Sequence, residues 1–353
     1  MIRKTLVSMG AAVLLSSAAA AAAAAAITLP LERPAAQDLE HALGNRLLAI
    51  ESAGQRLVAV GRRGHILTSD DGGQSWTQQP VPVASDLVAS HFSDARTGWA
   101  VGHDGVVLKT EDGGNSWRKV LDGWKAGELI GEFRKQHPDL GEEAAFEYER
   151  LEMEGGDKPF LTVHFTDKQR GVVLGAFNLA FLTRDGGESW TPFSHRIDNP
   201  MGFHVYATFE HQGVLHAVGE KGLLLRWDAE AERLVALESP YEGSWFGGAS
   251  MGEQILLFGL RGTAYIGSPD TGWQRLQLDT EDSFNNATIL SDDAALLMAQ
   301  SGKVFRIERQ NGEFASAELV SGGMPVYDAA VTGDTLTLVG ARGVRQLPLQ
   351  NDK

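Results

Sequence analysis

Short apolar runs recur along the chain, and each one stops at a Gly-x-x-Gly element. The runs end at Gly61-Arg62-Arg63-Gly64, Gly102-His103-Asp104-Gly105, Gly219-Glu220-Lys221-Gly222, Gly259-Leu260-Arg261-Gly262 and Gly340-Ala341-Arg342-Gly343. Two weaker copies are Gly175-Ala176-Phe177-Asn178 and Ala299-Gln300-Ser301-Gly302. Asn replaces Gly reasonably at such a turn, because both tolerate left-handed backbone. The steps between the seven turns are 41, 73, 44, 40, 40 and 41 residues. Runs of four to six apolar residues are strand-sized, and a period near 40 residues is that of a four-stranded propeller blade. The pattern predicts an all-β chain: a seven-bladed β-propeller of four-stranded antiparallel blades, each blade burying its faces against its neighbours. The long second step marks an insertion.

A second marker follows the first three turns. Ser69–Trp76, Thr110–Trp117 and Thr183–Trp190 all read Ser/Thr-x-Asp-x-Gly-x-x-Trp, the Asp box or BNR repeat. Its Asp (Asp71, Asp112, Asp185) suits the backbone N–H groups of its own turn, its glycines (Gly73, Gly114, Gly187) suit positive φ, and its Trp (Trp76, Trp117, Trp190) suits packing between blades. The later blades keep only fragments such as Ser268–Trp273. Decay of this kind fits a structural turn better than a catalytic element. In blade 2 the strands read as Leu87–Phe92, Trp99–Val101, Val106–Lys109 and Ser116–Val120, with Gly-x-x-Gly joining the second and third strands and the Asp box joining the third and fourth. The last blade offers three strands before the chain ends. Ile27–Arg33 is apolar and otherwise unemployed, so it is expected to supply the fourth and close the ring over residues 27–353.

Residues 122–158 carry the extra length between blades 2 and 3. Glu142–Glu154 is a strong helix former, Gly127–Gln136 suits a shorter helix, and His137-Pro138 separates them. Eleven acidic and five basic residues make this segment strongly acidic. As a connection between blades it is expected on the face that carries the Gly-x-x-Gly turns, as an arm touching a partner or a lid over the channel.

The chain opens with Arg3 and Lys4, an apolar stretch from Thr5 to Leu15, and an alanine run to Ala26. Residues 1–26 read as a cleavable signal peptide, which implies a periplasmic protein in a Gram-negative cell; an uncleaved anchor is the other reading. Without them, 29 basic face 46 acidic residues, a charge of −17 that argues against non-specific binding to nucleic acid or to an anionic membrane. The chain has no cysteine, so disulfides, thiolate metal sites, cysteine nucleophiles and lipoprotein-type lipidation are excluded.

The boxes, preceded by the Phe92–Gly102 stretch Phe-x-Asp-x-x-x-x-Gly-Trp-Ala-Val-Gly, resemble the photosystem II assembly and stability factor family of cyanobacteria and chloroplasts, whose members are seven-bladed propellers. The likeness is strongest over residues 57–190. Bacteria without photosynthesis carry related propellers, and this chain reads as one of those. The resemblance implies a scaffold or assembly factor that serves a membrane protein complex from the extracytoplasmic side, binding its client through an arginine patch on one propeller face. The candidate cations are Arg62, Arg63, Lys221, Arg261 and Arg342, one or two per Gly-x-x-Gly turn, with Asn178 taken as the corresponding residue of blade 3. Arg342, Arg62 and Arg63 are expected to cluster across the closed ring, and Lys221 with Arg261.

Asp boxes also occur in sialidases and other glycoside hydrolases, so a sugar-cleaving or glycan-binding propeller is the alternative. A sialidase would have six blades, an arginine triad and a Tyr–Glu pair. Seven blades are counted here, and the five tyrosines show no such arrangement. The ten histidines form no compact ligand set, and no phosphate-binding loop or nucleophile elbow occurs. The reading is therefore a monomeric protein with no catalytic residues, metal or cofactor.

Overall fold

The computed structural model describes residues 28–154 and 158–349; the signal-peptide reading of residues 1–26 falls outside them. Seven antiparallel sheets follow one another along the chain, six with four strands and the last with three. Within each sheet the strands pair in sequence order, A to D. The blades span residues 47–78, 87–121, 160–192, 205–236, 245–275, 284–321 and 326–348. This is the seven-bladed propeller that the repeat predicts.

The blades are held by apolar clusters lying between neighbours. Val58, Val60 and Ile66 of blade 1 share a cluster with Ala100, Leu108 and Trp117 of blade 2. Trp99 and Val101 of blade 2 share another with Phe160, Phe181 and Trp190 of blade 3. Each Asp-box Trp thus packs against the preceding blade, and Trp76 does so across the seam with blade 7. Backbone contacts are equally tight. A Cβ on Gly102 would lie 2.0 Å from the Asp86 carbonyl oxygen, and one on Gly64, at φ +72°, 2.1 Å from that of Val83. The glycines that punctuate the pattern are therefore required by close approach at the turn.

Every A strand carries a bulge after its first residue, at the end where the preceding connection enters. The skipped residues are Leu48, Val88, Leu161, Tyr206, Phe246, Asn285 and Tyr327, all half-buried. A bulge re-aims one side chain at a sheet rim. Repeated seven times, it lines one mouth of the ring with mostly apolar groups, and Tyr206 and Phe246 meet edge to face at 5.5 Å.

The N-terminal segment does not close the ring as expected. Pro30–Glu32 forms a turn of 3-10 helix, and the last sheet keeps three strands among the described residues. Pro30 and Pro34 cannot donate to a ladder, and Leu31 finds a buried place instead with Val81 and Val83 between blades 1 and 2. Ala84 donates to the Pro30 carbonyl at 2.7 Å and Ala35 to that of Val81 at 3.0 Å. The seam between blades 7 and 1 is closed by side chains and by a short helix, α1 (Leu39–Gly44), packed on the last strand. Gln346 Nε2 donates to the Gly72 carbonyl at 2.6 Å, and Asp328 accepts from Ile50 N at 2.8 Å.

The insertion forms two helices, α2 (Gly123–Gln136) and α3 (Glu142–Glu154). α2 starts four residues before the expected Gly127 because Asp122 caps it, accepting from Lys125 N at 3.0 Å. Ala126, Ile130, Tyr148 and Leu151 join the blade 2–3 core, so the pair is docked on the ring.

Candidate docking face

The B–C turns and the connections between blades share one face of the ring. In five turns the third residue is non-glycine with left-handed backbone: Arg63 (φ 58°), Asp104 (59°), Phe177 (55°), Lys221 (50°) and Arg261 (57°). Such a conformation costs about 1–2 kcal/mol at each non-glycine position. The turn is held by its neighbours: Arg63 N donates to Asp86 Oδ1 at 2.8 Å, Phe177 N to His204 Nδ1 at 3.1 Å and Arg261 N to Ser283 Oγ at 3.2 Å. In each case the acceptor stands just before the next strand A, so the turn is stitched to the adjacent blade.

Arg62, Arg63, Lys221, Arg261 and Arg342 are all exposed on this face. Their partners differ. Arg62 is paired with Asp86 at 3.1 Å, which offsets part of its charge. Arg63 Nη1 lies 3.5 Å from His41 Nε2, and Lys221 Nζ sits 5.8 Å from the Phe203 ring centre. α1 joins the turns of blades 7 and 1: Arg63 meets His41 at its first turn, and a Cβ on Gly343 would lie 1.6 Å from the Leu43 carbonyl oxygen. Arg46, just after α1, adds an exposed cation beside them, 5.6 Å over the Tyr327 ring, and its carbonyl accepts from Arg62 N. It escaped the sequence pattern because it precedes strand A rather than lying in a turn. Blade 3 is corrected: Phe177, 45% exposed, holds the position assigned to Asn178, while Asn178 is buried in the glycine position at φ 61°.

The Asp boxes lie on the opposite face, at the C–D turns. In the second, Asp112 Oδ1 accepts from Ser116 N at 2.9 Å, Asp112 Oδ2 from Ser116 Oγ at 2.6 Å, and Thr110 Oγ1 accepts from Gly114 N at 2.9 Å. Asp71 and Asp185 repeat these bonds. Hydrogen bonds from the Ser75 side chain and backbone hold the Asp71 carboxyl down at about 2. Gly73, Gly114 and Gly187 have φ of 93°, 85° and 89°. The boxes spend their polar groups on their own turns.

Ionisable groups also gather near the axis. Glu51 of blade 1 stands 3.7 Å from His91 Nδ1, the rings of His91 and His164 are 4.9 Å apart, and His164 Nε2 is 3.7 Å from Glu210. Burial pushes the Glu51 carboxyl up to about 8 and Asp328 up to about 7, and presses His91 and His164 down to about 4. Among the described residues no group of three or more His, Asp and Glu side chains is placed to hold a metal ion, and no helix is long and apolar enough to cross a membrane.

Residues 38–128 match the family of the photosynthesis system II assembly factor YCF48. The fold superposes on YCF48 bound to a D1 peptide with a TM-score of 0.64 and 15% identity, covering 88% of this chain and 95% of that one. YCF48 from Cyanidioschyzon merolae gives 0.62 and 15%, covering 86% and 95%. Virginiamycin B lyase from Staphylococcus aureus, a propeller enzyme, gives 0.59 and 10%, covering 86% and 94%. No curated protein matches the chain. The family match thus covers the first two blades, and the whole ring shares the fold of the YCF48 structures.

Proposed function

We propose that this chain is an exported, non-catalytic binding scaffold, an assembly or accessory factor for a membrane protein complex that docks on the cationic turn face. The observation that carries the reading is the set Arg62, Arg63, Lys221, Arg261 and Arg342, exposed on one face of a protein whose net charge is −15. Three of them occupy left-handed positions that glycine would fill at lower cost. A solved YCF48 structure holds a D1 peptide, which supports a polypeptide partner. Periplasmic placement rests on the N-terminal sequence. Crosslinking and affinity capture from intact cells would compare wild type with a variant in which Arg62, Arg63, Arg261 and Arg342 are all changed to Glu. Capture of a membrane protein by wild type, lost in the folded variant, is the expected result; partners that survive the reversal would sink it.

A hydrolase draws some support from the carboxyls near the axis and from the lyase among the similar folds. Against it, Asp328 is spent on Ile50 N, Ala329 N and Asn286 Nδ2. Glycan screening with release of reducing sugar tests this reading, which a Glu51→Gln variant of unchanged activity would remove.

A further inference from the structure

Strand C of blade 7 (Gly343–Pro348) ends its sheet, whereas in the other six blades a fourth strand covers that edge. Leu349 N donates to Asp334 O at 2.8 Å, in register with the pairing of strands B and C. Alternate residues of an antiparallel strand bond to opposite sides. The backbone N–H and C=O groups of Val344 and Gln346, and the Pro348 carbonyl, therefore point to the open side, where none has a partner among the described residues. Such an edge is a template for another strand. Its side chains are also left half-covered. Leu347 and Leu349 pack on the cluster between blades 6 and 7 yet stay half-buried. In complete blades the fourth strand finishes such a cluster, with Leu121 in blade 2 and Leu234 in blade 4, 2% and 0% exposed. Arg345, on the same strand, is exposed and has no ion pair among the described residues. The chain's own Pro30–Glu32 turn lies elsewhere: the Leu31 carbonyl accepts from Lys119 Nζ of blade 2 at 3.2 Å, with the whole of blade 1 between it and this edge.

We propose that this edge is a strand-accepting site, at which an extended segment of a protein partner pairs with strand C of blade 7 as its fourth strand. The occupant is a polypeptide because an extended backbone repeats donors and acceptors at the spacing of the edge. Arg345, Leu347 and Leu349 share one face of the sheet, since successive side chains alternate. The segment therefore sets leucine-type side chains against Leu347 and Leu349 and a carboxylate, two residues further on, beside Arg345. The backbone supplies affinity and these alternate side chains supply selectivity. Arg345 stands outside the set of turn cations, so the site goes beyond the turn-face reading and does not depend on it.

The peptide acetyl-Thr-Leu-Thr-Leu-Thr-Glu-Thr-amide carries these groups in antiparallel order and serves as the probe. It is titrated into the full chain, with the Val344 and Gln346 amides followed by NMR. Binding is expected with a Kd of roughly 0.1–1 mM, the worth of about five net hydrogen bonds. Hydrogen exchange of the two amides should slow by ~10-fold or more at saturation. A copy of the peptide N-methylated at its edge-facing amides should bind ~10-fold or more weaker. Lys in place of the peptide's Glu should cost ~3-fold, and Arg345→Glu should reverse that preference. The Arg63→Glu and Arg261→Glu variants should bind the probe as wild type does, which separates the edge from the turn face. No binding at ~5 mM, or equal binding of the methylated copy, overturns the proposal. So does protection of both amides before any peptide is added, which would mean that another part of the chain or a second copy already holds the edge. Client capture lost on turn-face reversal while the peptide never binds would leave the docking reading standing and this one fallen.

Discussion

The Asp328 carboxylate accepts the backbone N–H of Ile50 at 2.8 Å, joining residues 278 positions apart across the seam between the last blade and the first. With only three strands in the last sheet, no shared strand closes the ring among the described residues. This bond, the Gln346–Gly72 bond and the cluster of Leu47, Ile50, Ala330 and Val339 do that work. Asp328→Ala would leave Ile50 N and Asn286 Nδ2 unpaired in a buried place, and is expected to cost ~2–3 kcal/mol in chemical denaturation. A loss under ~0.5 kcal/mol would mean that the apolar seam alone closes the ring.

The Glu51 and Asp328 carboxyls should lower stability as pH rises from about 5 to 8.5. Glu51 and Asp328 have folded pKa values raised to about 8 and about 7, so between the unfolded carboxyl range and those values the native state holds protons that the unfolded chain releases. Their contribution is complete at low pH and is lost through that window. His91 and His164 act oppositely. Held down at about 4, they bind fewer protons folded than unfolded, so stability also falls as pH drops from about 6.5 towards 4. His195 and His216 are held down at about 4 in the same way, so thermal melts should peak at about pH 6–7. Glu51→Gln should melt above wild type at pH 8.5 and show a shallower alkaline slope; an unchanged slope would place the Glu51 carboxyl at its ordinary pKa.

Arg261→Gly is expected to stabilise the fold by ~0.5–1 kcal/mol, because glycine relieves the left-handed strain at φ 57° while itself costing some chain entropy. Arg261→Ala removes the same charge and keeps the strain, so it should gain nothing. If the two variants melt together, backbone strain is not what distinguishes the turn. Both should weaken capture of a partner equally, since both delete the guanidinium.

Asp112→Ala should cost ~1–2 kcal/mol, since Ser116 N, Ser116 Oγ and Thr110 Oγ1 all lose their acceptor at a partly exposed turn. Partner capture by the remaining folded protein should be unchanged. A loss of capture without a loss of stability would turn the boxes into a binding element.

Gly64→Ala combines a left-handed φ of +72°, costly for alanine, with a Cβ 2.1 Å from the Val83 carbonyl oxygen. The backbone of the connection must move, and a loss above ~3 kcal/mol or insoluble protein is expected. A stable, soluble Gly64→Ala protein would show that this connection yields easily.

Local features were legible because their physics is local. The Asp box is a closed set of bonds within eight residues, and the turn glycines report a backbone that no side chain can enter. The helix at Glu142–Glu154 was readable from propensity, but the true start of α2 depended on the Asp122 cap. The role of Ile27–Arg33 was misread: apolar character alone did not say which groove Leu31 fills, and Pro30 and Pro34 weighed against a strand. In blade 3 the left-handed run covers both Phe177 and Asn178, so only the structure fixes which one faces outward. Arg46 carries no motif, and its standing comes from what surrounds it.

The sequence by itself determined the number of blades, the position of the insertion and the face that each turn occupies, because these follow from a repeat in which every unit obeys the same short-range rules. Tertiary structure decided how the ring closes, which cation pairs with a carboxylate, and that α2 and α3 dock on the core between blades 2 and 3. Those outcomes depend on residues far apart in the chain, such as Asp328 with Ile50 and Tyr148 with His195, whose juxtaposition no periodicity encodes.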